Sequence, residues 1–167
     1  MHLTKQSSYM SSQPLEIKVA LQIQKPAHDV FEAIVDPAQM TNYFIAKSSG
    51  RMEQGAVLTW SFAEFPMEFP VRVGTIRKDE YISYSWDGAD GKELLVEITL
   101  APYRNDSTVV TITEKSMELS DAGLAWLKGN TEGWANFLAC LKAWIQYGIN
   151  LRQGSWEFRS DEKVSGE

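Results

Sequence analysis

NTEGWANFLACLKAWI, residues 130–145, sets Trp134, Phe137, Leu138, Leu141, Trp144 and Ile145 at i, i+3, i+4 and i+7 spacing. At 3.6 residues per turn these side chains share one stripe, so the stretch reads as an amphipathic helix. Gly148 continues the stripe, and helical periodicity extends from about Asp121 to Arg152. Gly129-Asn130 is expected to interrupt it, giving a short helix over 121–128 and then a long one. Arg152 suits the negative end of a helix dipole, and Gly154 suits the left-handed residue just past a helix end. A stripe this apolar must be buried against something, and the rest of the chain supplies it.

LEIKVALQI, residues 15–23, alternates apolar and polar residues with the period of two of a half-buried strand. In KPAHDVFEAIVD, Pro26 suits a first helical turn, and Val30, Phe31, Ile34 and Val35 fall on one helical face. Asp36-Pro37 ends that helix, and PAQMTNYF predicts a second short one. From Gly50 to Lys115 the texture is that of strands. AVLTWSF aligns Leu58, Trp60 and Phe62; MEFPVRVGTI aligns Met67, Phe69, Val71 and Val73; YISYSW aligns Ile82, Tyr84 and Trp86. Pro70 implies an edge or a bulge. ELLVEITL and STVVTITEK follow, the first after the DGADGK turn. Successive strands with short connections imply an antiparallel meander. The expected fold is α+β: a curved antiparallel sheet of about six strands wrapped around one long C-terminal helix, with two short helices after the first strand.

A chain of 167 residues suffices for one domain with a real core. The expected organisation is a disordered segment over 1–14, one domain over 15–153 and a flexible tail over 154–167. The net charge of −6 and scattered Lys and Arg exclude the clustered cations that nucleic acid or an anionic membrane surface would need. The polar start, MHLTKQSSYMSSQP, lacks the apolar core of a signal peptide, and no window of some twenty apolar residues predicts a membrane span. A cytoplasmic protein is expected. The single cysteine, Cys140, permits no internal disulfide and falls in the apolar helical pattern, which predicts a buried, inert thiol.

The motifs KPAHDVFEAIVDPAQMTNYF, GxxxxW at Gly55 to Trp60, YISYSW and GWANFLACLKAW occur in that order. Together they resemble the START-like (SRPBCC) helix-grip superfamily. Within it the chain is most similar to the family named for homologues of the activator of heat-shock protein 90 ATPase, over about residues 16–151. The matching positions are Pro26, Val30 and Phe31, then Asp36, Pro37 and Tyr43-Phe44, then Gly133, Trp134, Leu138 and Leu141. Tyr43 stands where the family usually has tryptophan. Asn130 stands near where it often has histidine, so no role tied to that histidine carries over. The resemblance implies the helix-grip fold and admits ligand carriers, cyclases and interaction modules.

Chemistry-bearing constellations are sparse. The histidines are His2, at the chain start, and His28, and no HxH, HxxxH or CxxC spacing predicts a metal site. No glycine-rich phosphate loop predicts a nucleotide, and no cofactor is expected. Glu64 and Glu68 flank Phe65-Pro66, while Glu97 and Glu114 lie within strands. A pair of acids with divergent pKa values could act as general acid and base, but Glu97 alternates with Val96 and Ile98 and is expected to face solvent.

Aromatic residues are the informative excess. Leu58, Trp60, Phe62, Phe69, Tyr84 and Trp86 are expected on the concave face of the sheet, opposite Trp134, Phe137, Leu138 and Leu141. A curved sheet gripping one helix leaves room for an apolar cavity, with Tyr43, Phe44 and the 64–69 turn at its mouth. The expected function is non-catalytic binding of a small hydrophobic molecule (lipid, sterol-like or polycyclic aromatic) by a monomer or weak dimer. Two alternatives accompany the resemblance: a chaperone-regulating interaction module, which would expose an apolar patch, and a cyclase or aromatase with Tyr84 or Glu68 as its polar group.

Overall fold

The computed structural model describes residues 13–88 and 90–162. Residues 1–12 and 163–167, which carry most of the expected N-terminal segment and the end of the expected tail, lie outside the described residues.

Nine residues of alternating polarity form β1 (Leu15–Ile23), and Pro26 then caps α1 (Ala27–Val35). The expected stripe of α1 is buried, with Ala33 added. Asp36 ends α1 and caps α2 (Pro37–Met40), its carboxylate accepting a hydrogen bond from the Ala38 N–H at 2.9 Å. The strands are β2 (Lys47–Ser48), β3 (Val57–Ser61), β4 (Glu68–Arg77), β5 (Tyr81–Asp87), β6 (Glu93–Tyr103) and β7 (Ser107–Met117). They form one seven-stranded antiparallel sheet of order β1-β7-β6-β5-β4-β3-β2, in which β3 to β7 are the expected meander. The strand beyond the expected six is β2, a two-residue edge too short to carry a period.

Sheet curvature has a local cause. Between Val73 and Ile76 the β4–β5 register shifts, and the Ser83 hydroxyl accepts a hydrogen bond from the Thr75 N–H at 2.9 Å. Such a bulge bends and twists the strand that carries it. Gly74 permits the approach, because a Cβ there would stand 2.7 Å from Ser83 Oγ. Pro70 pairs with Thr59 of β3, whereas the β4–β5 pairing starts at Arg72, so no ladder bond is lost to its missing N–H.

The C-terminal helix departs from expectation. It is a single uninterrupted element, α3 (Asp121–Tyr147), capped by Ser120, whose hydroxyl accepts a hydrogen bond from the Gly123 N–H at 3.0 Å. It ends at Gly148, in the left-handed conformation at φ 66°, rather than at Gly154. Arg152 therefore lies beyond the helix, and its side chain turns inward instead of stabilising a helix end. The second half of α3 is tied to β1: Lys142 donates to the Gln22 carbonyl and the Gln146 side-chain oxygen accepts from the Gln24 N–H, both at 2.7 Å. Past Gly148 the chain does not stop packing. Residues 154–162, expected as tail, form a turn and the short α4 (Phe158–Glu162), which lies over the glycine-bearing part of α3.

Candidate functional site

Where the second half of α3 meets the sheet, the space is full. Phe44 contacts Phe137 edge-on with ring centroids 4.7 Å apart, Tyr43 contacts Phe137 at 5.5 Å, and Trp60 contacts Tyr84 at 5.3 Å. Six of the expected ligand-binding residues, Leu58, Trp60, Tyr84, Phe137, Leu138 and Leu141, belong to this interlocked core and are no more than 5% exposed. Tyr43 is also buried, its hydroxyl donating to the Ala33 carbonyl at 2.8 Å. Burial, with the Glu114 charge adding to it, pushes the Tyr84 phenol well above its ordinary range.

The first half of α3 stands away from the sheet, and the gap is a cleft of about 800 Å³. Phe62, Phe65, Phe69, Trp86 and Trp126 wall it with aromatic rings. Leu94 and Met117 form its sheet side, Met67 overhangs it, and Ala122 and Ala125 keep the helix side shallow. Glu68, Asp87 and Asp90 stand at its rim; Asp87 is paired with Arg72 at 2.7 Å. Of the expected ligand residues, Phe62, Phe69 and Trp86 line this cleft. The cleft thus opens at one end of the helix rather than along its whole length. There α3 offers the methyls of Ala122 and Ala125 beside Trp126 and Asn130, where its second half offers Phe137, Leu138 and Leu141.

A smaller chamber of about 170 Å³ adjoins the cleft and shares Phe62, Phe65, Trp86 and Asn130 with it. Phe44 and Trp134, both expected as ligand residues, line it. Gly129 and Gly133 create its volume: a Cβ at either would meet no atom within 4 Å. Arg152, Trp156 and Arg159 of the C-terminal segment close it. Arg152 is ion-paired with Glu64, their side chains 19% and 9% exposed, and its guanidinium lies 5.4 Å from the Phe62 ring centre. Burial lowers the proton affinity of Arg152, and the Glu64 charge opposes that shift. Glu64 and Glu68, weighed as an acid–base pair, are parted: Glu64 binds Arg152 in the smaller chamber and Glu68 stands at the rim of the cleft. A third hollow, of about 350 Å³, places Tyr43 and Phe44 against the C-terminal segment.

Between cleft and core sits a carboxylate. Glu114 of β7 is 0% exposed, with Ile17 and Val96 as its cross-strand neighbours. One oxygen accepts the Trp126 indole N–H at 2.9 Å and the Asn130 amide at 2.8 Å, and the other accepts the Trp134 indole N–H. Positions 126, 130 and 134 are four apart, so one face of α3 brings all three donors to a single acid. A buried acid is tolerable when its lone pairs are filled in this way. Glu97, by contrast, lies on the outer face as expected, bound by Lys115 at 2.8 Å and by the Tyr81 hydroxyl at 2.6 Å.

A bulge-bent antiparallel sheet closed over one long helix, with an apolar cleft at the helix N-terminal end, defines a helix-grip protein of the START-like kind. The chain belongs to the family described as Activator of Hsp90 ATPase homolog 1-like protein, whose profile matches residues 24–146. It is similar to the crystal structure of protein SSP2350 from Staphylococcus saprophyticus, with 30% identity and a TM-score of 0.73, covering 83% of this chain and 96% of that one. DynU16, a protein of the dynemicin biosynthetic locus, shares the fold at 21% identity and a TM-score of 0.71, over 81% of this chain and 48% of its own. So does the Aha1 dimer from Colwellia psychrerythraea, at 17% identity and a TM-score of 0.69, over 80% of this chain and 98% of that one. No curated protein matches the chain in sequence. Among the described residues, no helix is long and apolar enough to cross a membrane.

Proposed function

We propose that the chain binds a small, flat, apolar molecule in the cleft beside the first half of α3 and releases it unchanged. The observation that carries this reading is the cleft itself: about 800 Å³ walled by five aromatic rings lies within the range of small-molecule sites. At ~25 cal/mol per Å² of apolar surface removed from water, ring-sized ligands gain most of their affinity from such walls. What supports binding over turnover is the disposition of the polar groups. Glu64 is held by Arg152, Glu114 by three N–H donors, and the Tyr84 phenol lies in the packed core.

Trp86 and Trp126 in the walls make the test direct. Titration with naphthalene-, anthracene- and sterol-sized compounds is expected to change tryptophan emission saturably, with one molecule bound per chain. An absence of saturable binding across those sizes defeats the proposal. A second reading, regulation of a chaperone ATPase, is favoured by the family's description and by the Aha1 neighbour. Stimulation of Hsp90 ATP hydrolysis by the purified chain would support it, and an unchanged rate beside saturable ligand binding would set it aside.

A further inference from the structure

We infer that the ligand carries a hydrogen-bond donor, a hydroxyl or an amine on its apolar frame, and that Asn130 receives it. This rests on the proposal that the cleft binds an apolar molecule, and it adds what orients that molecule. Asn130 lines both the cleft and the smaller chamber. The ends of its amide are not interchangeable. The Glu114 oxygen it faces already accepts the Trp126 N–H and offers only lone pairs, so the NH₂ end of Asn130 must point to it, as it does at 2.8 Å.

That fixes the carbonyl oxygen on the opposite side. Among the described residues no buried side-chain oxygen or nitrogen lacks a partner, and none of them donates a hydrogen bond to the Asn130 oxygen. It is therefore open to the space its side chain lines. It is an acceptor held in place by a buried acid, at the junction of cleft and chamber. The ionisable residues lining the cleft, Glu68, Asp87 and Asp90, are acceptors as well. A donor-bearing ring system satisfies this lining. A carboxylate-bearing one would meet an oxygen at Asn130 and like charge at the rim.

Three naphthalenes of one shape test it: 2-naphthol, 2-methoxynaphthalene and 2-naphthoate, each titrated against the full chain by tryptophan emission. Naphthol is expected to bind roughly fivefold tighter than its methyl ether, the effect of one net hydrogen bond, and naphthoate weakest of the three. Asn130→Leu is expected to abolish the preference for naphthol, so that naphthol and its ether bind the variant alike. Should that variant fail to fold, Asn130→Ser, whose oxygen is too short to hold the same position, is read in the same way. Equal binding of naphthol and its ether by the unaltered chain overturns the inference and leaves the cleft proposal standing. So does a naphthol preference that survives at position 130. Tightest binding of naphthoate overturns it too, and points to Arg152 and Arg159 instead. If no probe binds saturably, the underlying cleft proposal falls, and this inference with it.

Discussion

Replacing Glu114 by glutamine leaves one acceptor oxygen where the carboxylate offers two. Asn130 can turn its amide to suit, but the indole N–H groups of Trp126 and Trp134 sit on different oxygens and cannot both be served. One buried donor is then orphaned, at about 1–3 kcal/mol. Glu114→Gln is therefore expected to lower the urea midpoint by that free energy divided by the slope, the slope itself unchanged, and an unmoved midpoint would deny the network its structural role. Glu97 is a contrasting case on the outer face. Its hydrogen bond from Lys115, and next that from Tyr81, hold its carboxyl below the ordinary glutamate range. A folded pKa below the unfolded one stabilises above the ordinary range and ceases to do so as pH falls through the lowered value. The stability difference between the native chain and Glu97→Gln should accordingly be small and constant near neutrality and vanish in acid, read from denaturation midpoints across pH.

Within α3 the same substitution has opposite signs two turns apart. A Cβ at Gly123 would stand 2.0 Å from the Glu118 carbonyl oxygen and 3.1 Å from Leu15 Cδ1, whereas one at Gly129 meets nothing within 4 Å. Gly123→Ala should cost about 1–3 kcal/mol through forced displacement, and Gly129→Ala should gain roughly 1 kcal/mol of helix propensity. Thermal melts of the two variants are expected to move in opposite directions. Gly129 is also where reading by residue type fails, since a glycine followed by asparagine reads as a helix break. The helix continues through this point with Trp126, Asn130 and Trp134, each one turn apart, all hydrogen-bonded to Glu114. Other elements were legible because one face alone carries their apolar residues, as with Val30, Phe31 and Ile34 of α1 or Leu58 and Trp60 of β3. The inward turn of Glu114 was obscured by Val109-Val110 and the flanking threonines, which blur the two faces of β7. Its phase with Val110 and Ile112 was the available signal. Phe65 sits in the connection before β4, where no period operates, and Met67, expected in phase with Phe69, Val71 and Val73, lies outside that strand and is exposed. Trp126 fell in what read as a separate short helix.

At the scale of the whole molecule, one helix does two jobs because its two halves differ in side-chain size. The second half carries the aromatic and leucine stripe that locks it onto β1 and the sheet, and a chain without that lock has no rigid wall to offer a ligand. The first half carries Ala122, Ala125, Gly129 and Gly133, and the volume they leave unfilled is the cleft and its adjoining chamber. If that division is right, the cleft can be closed with little effect on the fold. Ala125 is exposed, so a larger side chain there has room to be placed without disturbing the core. Ala125→Trp should therefore keep the melting temperature within a few degrees of the native value while its indole occupies cleft space, weakening probe binding by at least roughly tenfold. Ala135, also exposed on α3 but lining neither cleft nor chamber, supplies the control: Ala135→Trp should bind as the native chain does. Undiminished affinity in a folded Ala125→Trp variant would place the ligand elsewhere, and the small residues of the first half would then need another explanation.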